Sequence, residues 1–172
     1  SDLLHRLPEY TCDDKHAQVD AIYPEALALA RSAENPWLEV FVRHWNLQSR
    51  ILHRHEVADW MGEAVSLLEF ANRPETRDCP QTVCVTQDLV NCYGNSDGPG
   101  FGPERLEATR ETLARIDPKW PCWVCISAEH AEALSDVGAP EDALHFIEAQ
   151  LAAMDRANVR RDRHPMAGSK VD

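Results

Sequence analysis

A proline-opened helix, a short turn and a second helix recur about every forty residues along this chain, and few folds tolerate that rhythm. The openers are Asn35-Pro36-Trp37-Leu38, Cys79-Pro80-Gln81-Thr82 and Trp120-Pro121-Cys122-Trp123, 44 and then 41 residues apart. Pro24-Glu25, Pro103-Glu104 and Pro140-Glu141 interleave with them. At a first helical position proline loses no hydrogen bond, and glutamate there meets the positive end of the helix dipole. Such a period predicts stacked helical hairpins, each too small to bury its own apolar face. Arrays of this kind commonly bind other proteins and rarely carry out covalent chemistry.

The expected class is all-α, an array of antiparallel hairpins with about seven helices. A short segment over 14–23 leads into helices over 24–34, 36–53, 57–71, 80–93, 103–116, 121–137 and 140–156. The helix from Pro36 carries Trp37, Val40, Phe41, Trp45, Leu47, Ile51 and Leu52 on a wide apolar arc, and Trp60, Met61, Ala64, Leu67 and Leu68 answer it from the next. Leu106, Leu113 and Ile116 recur at heptad-like spacing, and Ala143, Leu144, Ile147, Leu151 and Met154 share one face of the last helix. Residues 1–13 read as an N-terminal extension, 14–156 as the helical-repeat domain and 157–172 as a basic flexible tail.

Val137-Gly138-Ala139-Pro140-Glu141-Asp142-Ala143-Leu144 resembles the inter-helix crossing of the tetratricopeptide repeat family. Ala143 stands at the small residue where two helices approach, Ala131 at the small residue of the first helix, and Asp117-Pro118 at the closing Asp-Pro. The chain thus resembles a divergent member, since the family's period is about 34 residues. The resemblance implies a right-handed superhelical array in which the first helix of each pair lines a concave groove. Glu39, Arg43, Asn46, Arg50 and His53 form a polar stripe at helical spacing on the first long helix. Aligned from the opening prolines, the implied groove carries Arg43, Leu47 and Arg50, then Gln87 and Asn91, then Ala128, Glu132 and Asp136. Arg43, Asn46, Leu47, Arg50, Gln87, Asn91 and Glu132 are therefore the expected partner-binding residues.

The net charge is -12, with a basic excess confined to residues 156–172. An acidic body disfavours nucleic acid, whose phosphates demand a basic footprint, and suits a basic protein or peptide partner. No stretch has the apolar length of a transmembrane helix, and the first residues lack the pattern of a signal peptide, so no membrane association and a cytoplasmic location are expected.

Several features invite chemistry. Cys122-x-x-Cys125, joined by Cys84 or Cys92, supplies ligand types for zinc or a redox dithiol. Cys84 and Cys125, however, align with Val40 in the repeat, as a small apolar packing site would. His53-Arg54-His55-Glu56 lacks HExxH spacing and reads as a solvated helix end. The glycine-dense stretch 94–102 lacks the lysine and hydroxyl of a P-loop and reads as a flexible loop, with Phe101 as a contact residue. No nucleophile, base and orienter assemble. The expected function is a non-catalytic adaptor, chaperone-like or inhibitor-like interaction module without cofactor or metal. The alternatives are a metal- or thiol-dependent regulator using Cys84, Cys92, Cys122 and Cys125, and a structural segment of a longer helical-repeat protein.

Overall fold

Proline and turn chemistry place the helices much as the sequence suggests. A computed structural model describes residues 2–159; the tail expected over 157–172 lies outside the described residues from 160 onward. Among the described residues there are eight α-helices, one π-helical segment and no strand. The chain divides into two compact units, the first ending at Asp97 and the second beginning at Gly98.

The first unit holds α1 (Asp2–Cys12), α2 (His16–Ser32), α3 (Pro36–Gln48) with the π segment Ser49–His53 at its end, α4 (Val57–Ala71) and α5 (Gln81–Asp97). Asn35 caps α3, its side chain accepting a hydrogen bond from the Trp37 amide at 3.1 Å, with Pro36 as the first helical residue. α1 packs on α2 and α3, while α5 lies against both α3 and α4. Two apolar clusters result: Leu7, Val19, Ala26, Ala30 and Val42 in one, and Val40, Leu47, Ile51, Ala64, Leu67, Ala71, Val85, Leu89 and Cys92 in the other.

Three expectations need correction here. The N-terminal extension expected over residues 1–13 is helical from Asp2 to Cys12 and buries Leu7 and Thr11. The two helices expected over 14–34 are one, because Pro24 sits inside α2 and not at an opening. An interior proline forfeits one backbone bond, and the burial of Val19, Ala26 and Ala30 on either side of it holds the helix together. The glycine-dense stretch is helical through Asp97, leaving only residues 98–101 as a connection, so the expected third hairpin divides between the units.

The second unit holds α6 (Gly102–Leu113), α7 (Trp123–Asp136) and α8 (Pro140–Arg156), with α7 against both others. The buried face of α6 is polar: Arg105, Thr109 and Thr112, with Leu106, Leu113 and Ile116 only half-buried. Thr109 donates to the Arg105 carbonyl at 2.7 Å and Thr112 to the Ala108 carbonyl at 2.8 Å, so their hydroxyls carry no desolvation penalty.

One turn is reused throughout. Asp14, Glu34, His55 and Gly138 stand at the centres of three-residue connections and have φ of 56°, 52°, 57° and 84°; Asn158, just past α8, has 54°. A left-handed residue at this position turns the last amides back onto the helix end, as Ala139 N–H does to the Leu134 carbonyl at 2.9 Å and Val159 N–H to the Met154 carbonyl at 3.0 Å. Of the five residue types, glycine at Gly138 favours the left-handed backbone most strongly.

Candidate functional site

The residues expected to line a groove are largely interior. Arg43 is buried; its Nε donates to Glu63 Oε1 at 2.7 Å, one Nη lies 3.6 Å from Glu39, and the other donates to Ser66 at 3.2 Å. Its guanidinium also lies 5.5 Å from the centre of the Phe70 ring. Asn46 and Leu47 are fully enclosed, Gln87 is buried, and neither amide atom of Asn46 has a hydrogen-bond partner. Arg50 binds Asp20 at 2.6 Å and Glu56 at 3.1 Å and stacks 4.7 Å from the Trp60 ring centre. Asn91 on α5 is half-buried. Glu132 belongs to the second unit, where it lies 3.4 Å from Arg105. Except at Asn46, the expected stripe is thus a set of struts between helices, its arginines facing carboxylates on α2 and α4.

The π segment contributes to this outcome. One extra residue in a helical turn rotates everything beyond it by roughly 100° relative to an unbroken helix. A spacing of four and three therefore stops predicting a common face after Gln48. His53 reaches Asp14 at 2.6 Å, and Arg54 reaches Asp20 at 2.9 Å, so the expected solvated helix end is tied back to the start of the domain.

Of the four thiol positions, Cys92 is buried in an apolar cluster, and Cys84, Cys122 and Cys125 are half-buried. Cys84 and Cys92 lie on α5 of the first unit, and Cys122 and Cys125 at the start of α7 in the second. Burial pushes the Cys92 thiol up to about 12 and that of Cys125 to about 11, which favours the protonated form over the thiolate that binds zinc or attacks a disulfide. Among the described residues no group of three or more His, Cys, Asp or Glu is placed to hold a metal ion. No helix of the described residues is long and apolar enough to cross a membrane.

The arrangement that stands out lies on the last hairpin. Its apolar residues were legible, but their helical period gave no sign of which would remain uncovered. Leu144 is 57% exposed, Ile147 42%, Leu151 38% and Val124 37%, values far from those of a core. Between α7 and α8 lies a cleft of about 210 Å³ lined by Trp123, Val124, Ser127, Ala128, Ile147, Gln150, Leu151 and Met154. Trp123 Nε1, Ser127 Oγ and Gln150 Oε1 are enclosed without a hydrogen-bond partner. Chemically the cleft can accept apolar side chains and offers a few hydrogen bonds at its walls. It contains neither an acid-base pair nor a nucleophile with an adjacent base.

Beside it, Arg105 of α6 is fully buried and pairs with Asp136, Glu132 and, at 4.0 Å, Glu129 of α7. This staple fixes α7 from the side of α6 and leaves the cleft face to α8. Compared with protein-family models, curated proteins and solved structures, the chain has no significant match to any of them.

Proposed function

We propose that this chain is a non-catalytic protein-binding module, a divergent tetratricopeptide-like array of helical hairpins, and that its binding surface includes the α7–α8 face. The observation that carries this reading is the exposure of Val124, Ile147 and Leu151 on one cleft, with exposed Leu144 one turn before Ile147 on α8. Scattered exposed apolar residues are ordinary, whereas several of them grouped about a concavity mark an interaction site. Of the residues expected from the sequence to line a groove, Arg43 and Arg50 pair with carboxylates of neighbouring helices and Asn46, Leu47 and Gln87 are buried, so this reading moves the binding role from α3 and α5 to the last hairpin. The acidic surface remains part of the reading, as the attractive field for a basic partner.

Site-specific photocrosslinking in the native host tests it. A crosslinking residue at Leu144 should yield a discrete protein adduct, and one at exposed Glu9 on α1 should not. Equal adducts from both positions, or none from Leu144, would count against the reading.

A second reading, one stretch of a longer helical array, is favoured by the turn at Asn158, which repeats the geometry found between consecutive helices. The mass of the native polypeptide decides it: a value well above 19.4 kDa supports the array.

A further inference from the structure

The α7–α8 cleft has a counterpart within the chain whose occupant is visible. In the first unit, α3 and α4 form a hairpin closed by the left-handed residue His55, as Gly138 closes α7 and α8. His55 and Gly138 are 83 residues apart, and this offset carries Ala64, Leu67, Leu68 and Ala71 of α4 onto Ile147, Gln150, Leu151 and Met154 of α8. On the first helices the π segment supplies one extra residue, so the offset before it is 84, and Val40 and His44 correspond to Val124 and Ala128. These six positions of the second unit all line the cleft.

Their counterparts are covered by α5. Val40, Ala64, Leu67 and Ala71 share one apolar cluster with Val85, Leu89 and Cys92 of α5, Leu68 packs against it, and His44 bonds Asp88 of the same helix. The occupant of such a site is therefore an amphipathic helix that presents apolar residues at intervals of four and three. In the second unit Val124, Ala128, Ile147 and Leu151 are exposed at these positions, Gln150 is half-buried and Met154 forms the buried floor, and the three unpartnered polar atoms of Trp123, Ser127 and Gln150 lie at the walls.

Charge narrows the occupant. Of the acidic side chains in residues 123–156, Glu129, Glu132 and Asp136 pair with Arg105, which leaves Glu141, Asp142, Glu148 and Asp155 of α8 against the single basic Arg156. A helix arriving here with acidic flanks is repelled, and one with lysine or arginine flanks is drawn in.

We infer that the α7–α8 cleft binds an amphipathic α-helix of a partner protein, apolar on one face and basic on its flanks, in the position that α5 occupies on α3 and α4. The inference rests on the protein-binding reading above and specifies the ligand of that surface.

Three synthetic 18-residue peptides test it by fluorescence anisotropy with the full chain: a helix with a Leu/Val face and Lys flanks, its isomer with Glu flanks, and a scramble of the Lys peptide. The Lys helix should bind at least tenfold more tightly than either control, and raising the salt should weaken it. Leu151→Asp and Ile147→Asp should each reduce its affinity at least tenfold with an unchanged circular dichroism spectrum, both side chains being exposed in the free protein. Gln150→Leu, which installs the residue found at Leu67, should tighten it severalfold.

Equal binding of the scramble, or indifference to Leu151→Asp and Ile147→Asp, would overturn the inference. So would a dimer in sedimentation analysis that Leu151→Asp converts to monomer, since a second copy would then fill the cleft. Adducts from Leu144 in cells, together with failure of the Lys helix, would leave the binding module standing and remove only the helical ligand.

Discussion

His44 Nδ1 lies 2.7 Å from Asp88 Oδ2, joining α3 to α5 through two side chains that are both sealed from solvent. The second carboxylate oxygen of Asp88 has no hydrogen-bond partner. Burial pushes the Asp88 carboxyl above its ordinary range, and His44 offsets only part of that rise. A raised folded-state pKa contributes stability that is present below the ordinary carboxylate value and lost as pH rises through the raised one.

Replacing Asp88 by Asn keeps a hydrogen-bonding group beside His44 and removes the buried charge. Asp88→Asn should lie within about 1 kcal/mol of the parent near neutrality, and its stability relative to the parent should improve as pH rises from about 4. Asp88→Ala leaves His44 Nδ1 unpartnered beside a void and should cost about 2–3 kcal/mol. Urea denaturation at several pH values measures both.

The arginine struts set a second expectation. Arg43→Glu would place a third carboxylate beside Glu39 and Glu63 at a buried position, and should cost about 3 kcal/mol or more. Reversing Arg43 and Arg50 together should therefore lower the melting temperature markedly. A double variant with parental stability would return these arginines to the status of surface residues.

The register of helices was legible because proline, asparagine and glycine act locally: Asn35-Pro36 opens α3, Gly138 closes α7, and α4 and α8 have the expected bounds, Val57–Ala71 and Pro140–Arg156. Nothing local distinguishes Pro24 inside α2 from Pro36 at the start of α3, since the outcome depends on what the flanking residues bury. The burial and pairing of the polar stripe were illegible for a related reason. Arg43 and Arg50 have the periodicity of an exposed face, but the carboxylates that claim them, Glu63 and Asp20, come from helices about twenty to thirty residues away. Exposure of Leu144, Ile147 and Leu151 depends on what packs against α8, a property outside the helix itself.

Glu34 occupies a left-handed backbone at φ 52° and is exposed. A side-chain-bearing residue there costs about 1–2 kcal/mol, against about 0.5–1 kcal/mol for the greater unfolded-state freedom of glycine. Glu34→Gly should raise stability by up to about 1 kcal/mol, read as a melting temperature higher by about 2–4 °C.

His130 of α7 packs on the Phe146 ring at 4.5 Å between centres and pairs through Nδ1 with Thr109 Oγ1 at 2.7 Å. Burial, with a smaller effect of Arg110, holds its pKa below the ordinary 6.5. The neutral ring is the folded form, so its share of stability is present above pH 6.5 and lost as pH falls through the depressed value. His130→Gln should therefore cost more at pH 8 than at pH 5. An equal cost at both would contradict the assignment.

The central claim is that the α7–α8 face binds protein. Its most direct test is the affinity of the partner recovered by crosslinking at Leu144, measured by calorimetry for the parent chain and for Leu144→Asp/Leu151→Asp, with melting temperatures alongside. The account predicts at least a tenfold loss of affinity with a melting temperature within a few degrees of the parent, because both side chains are already exposed. Undiminished affinity in a variant that remains folded would contradict it.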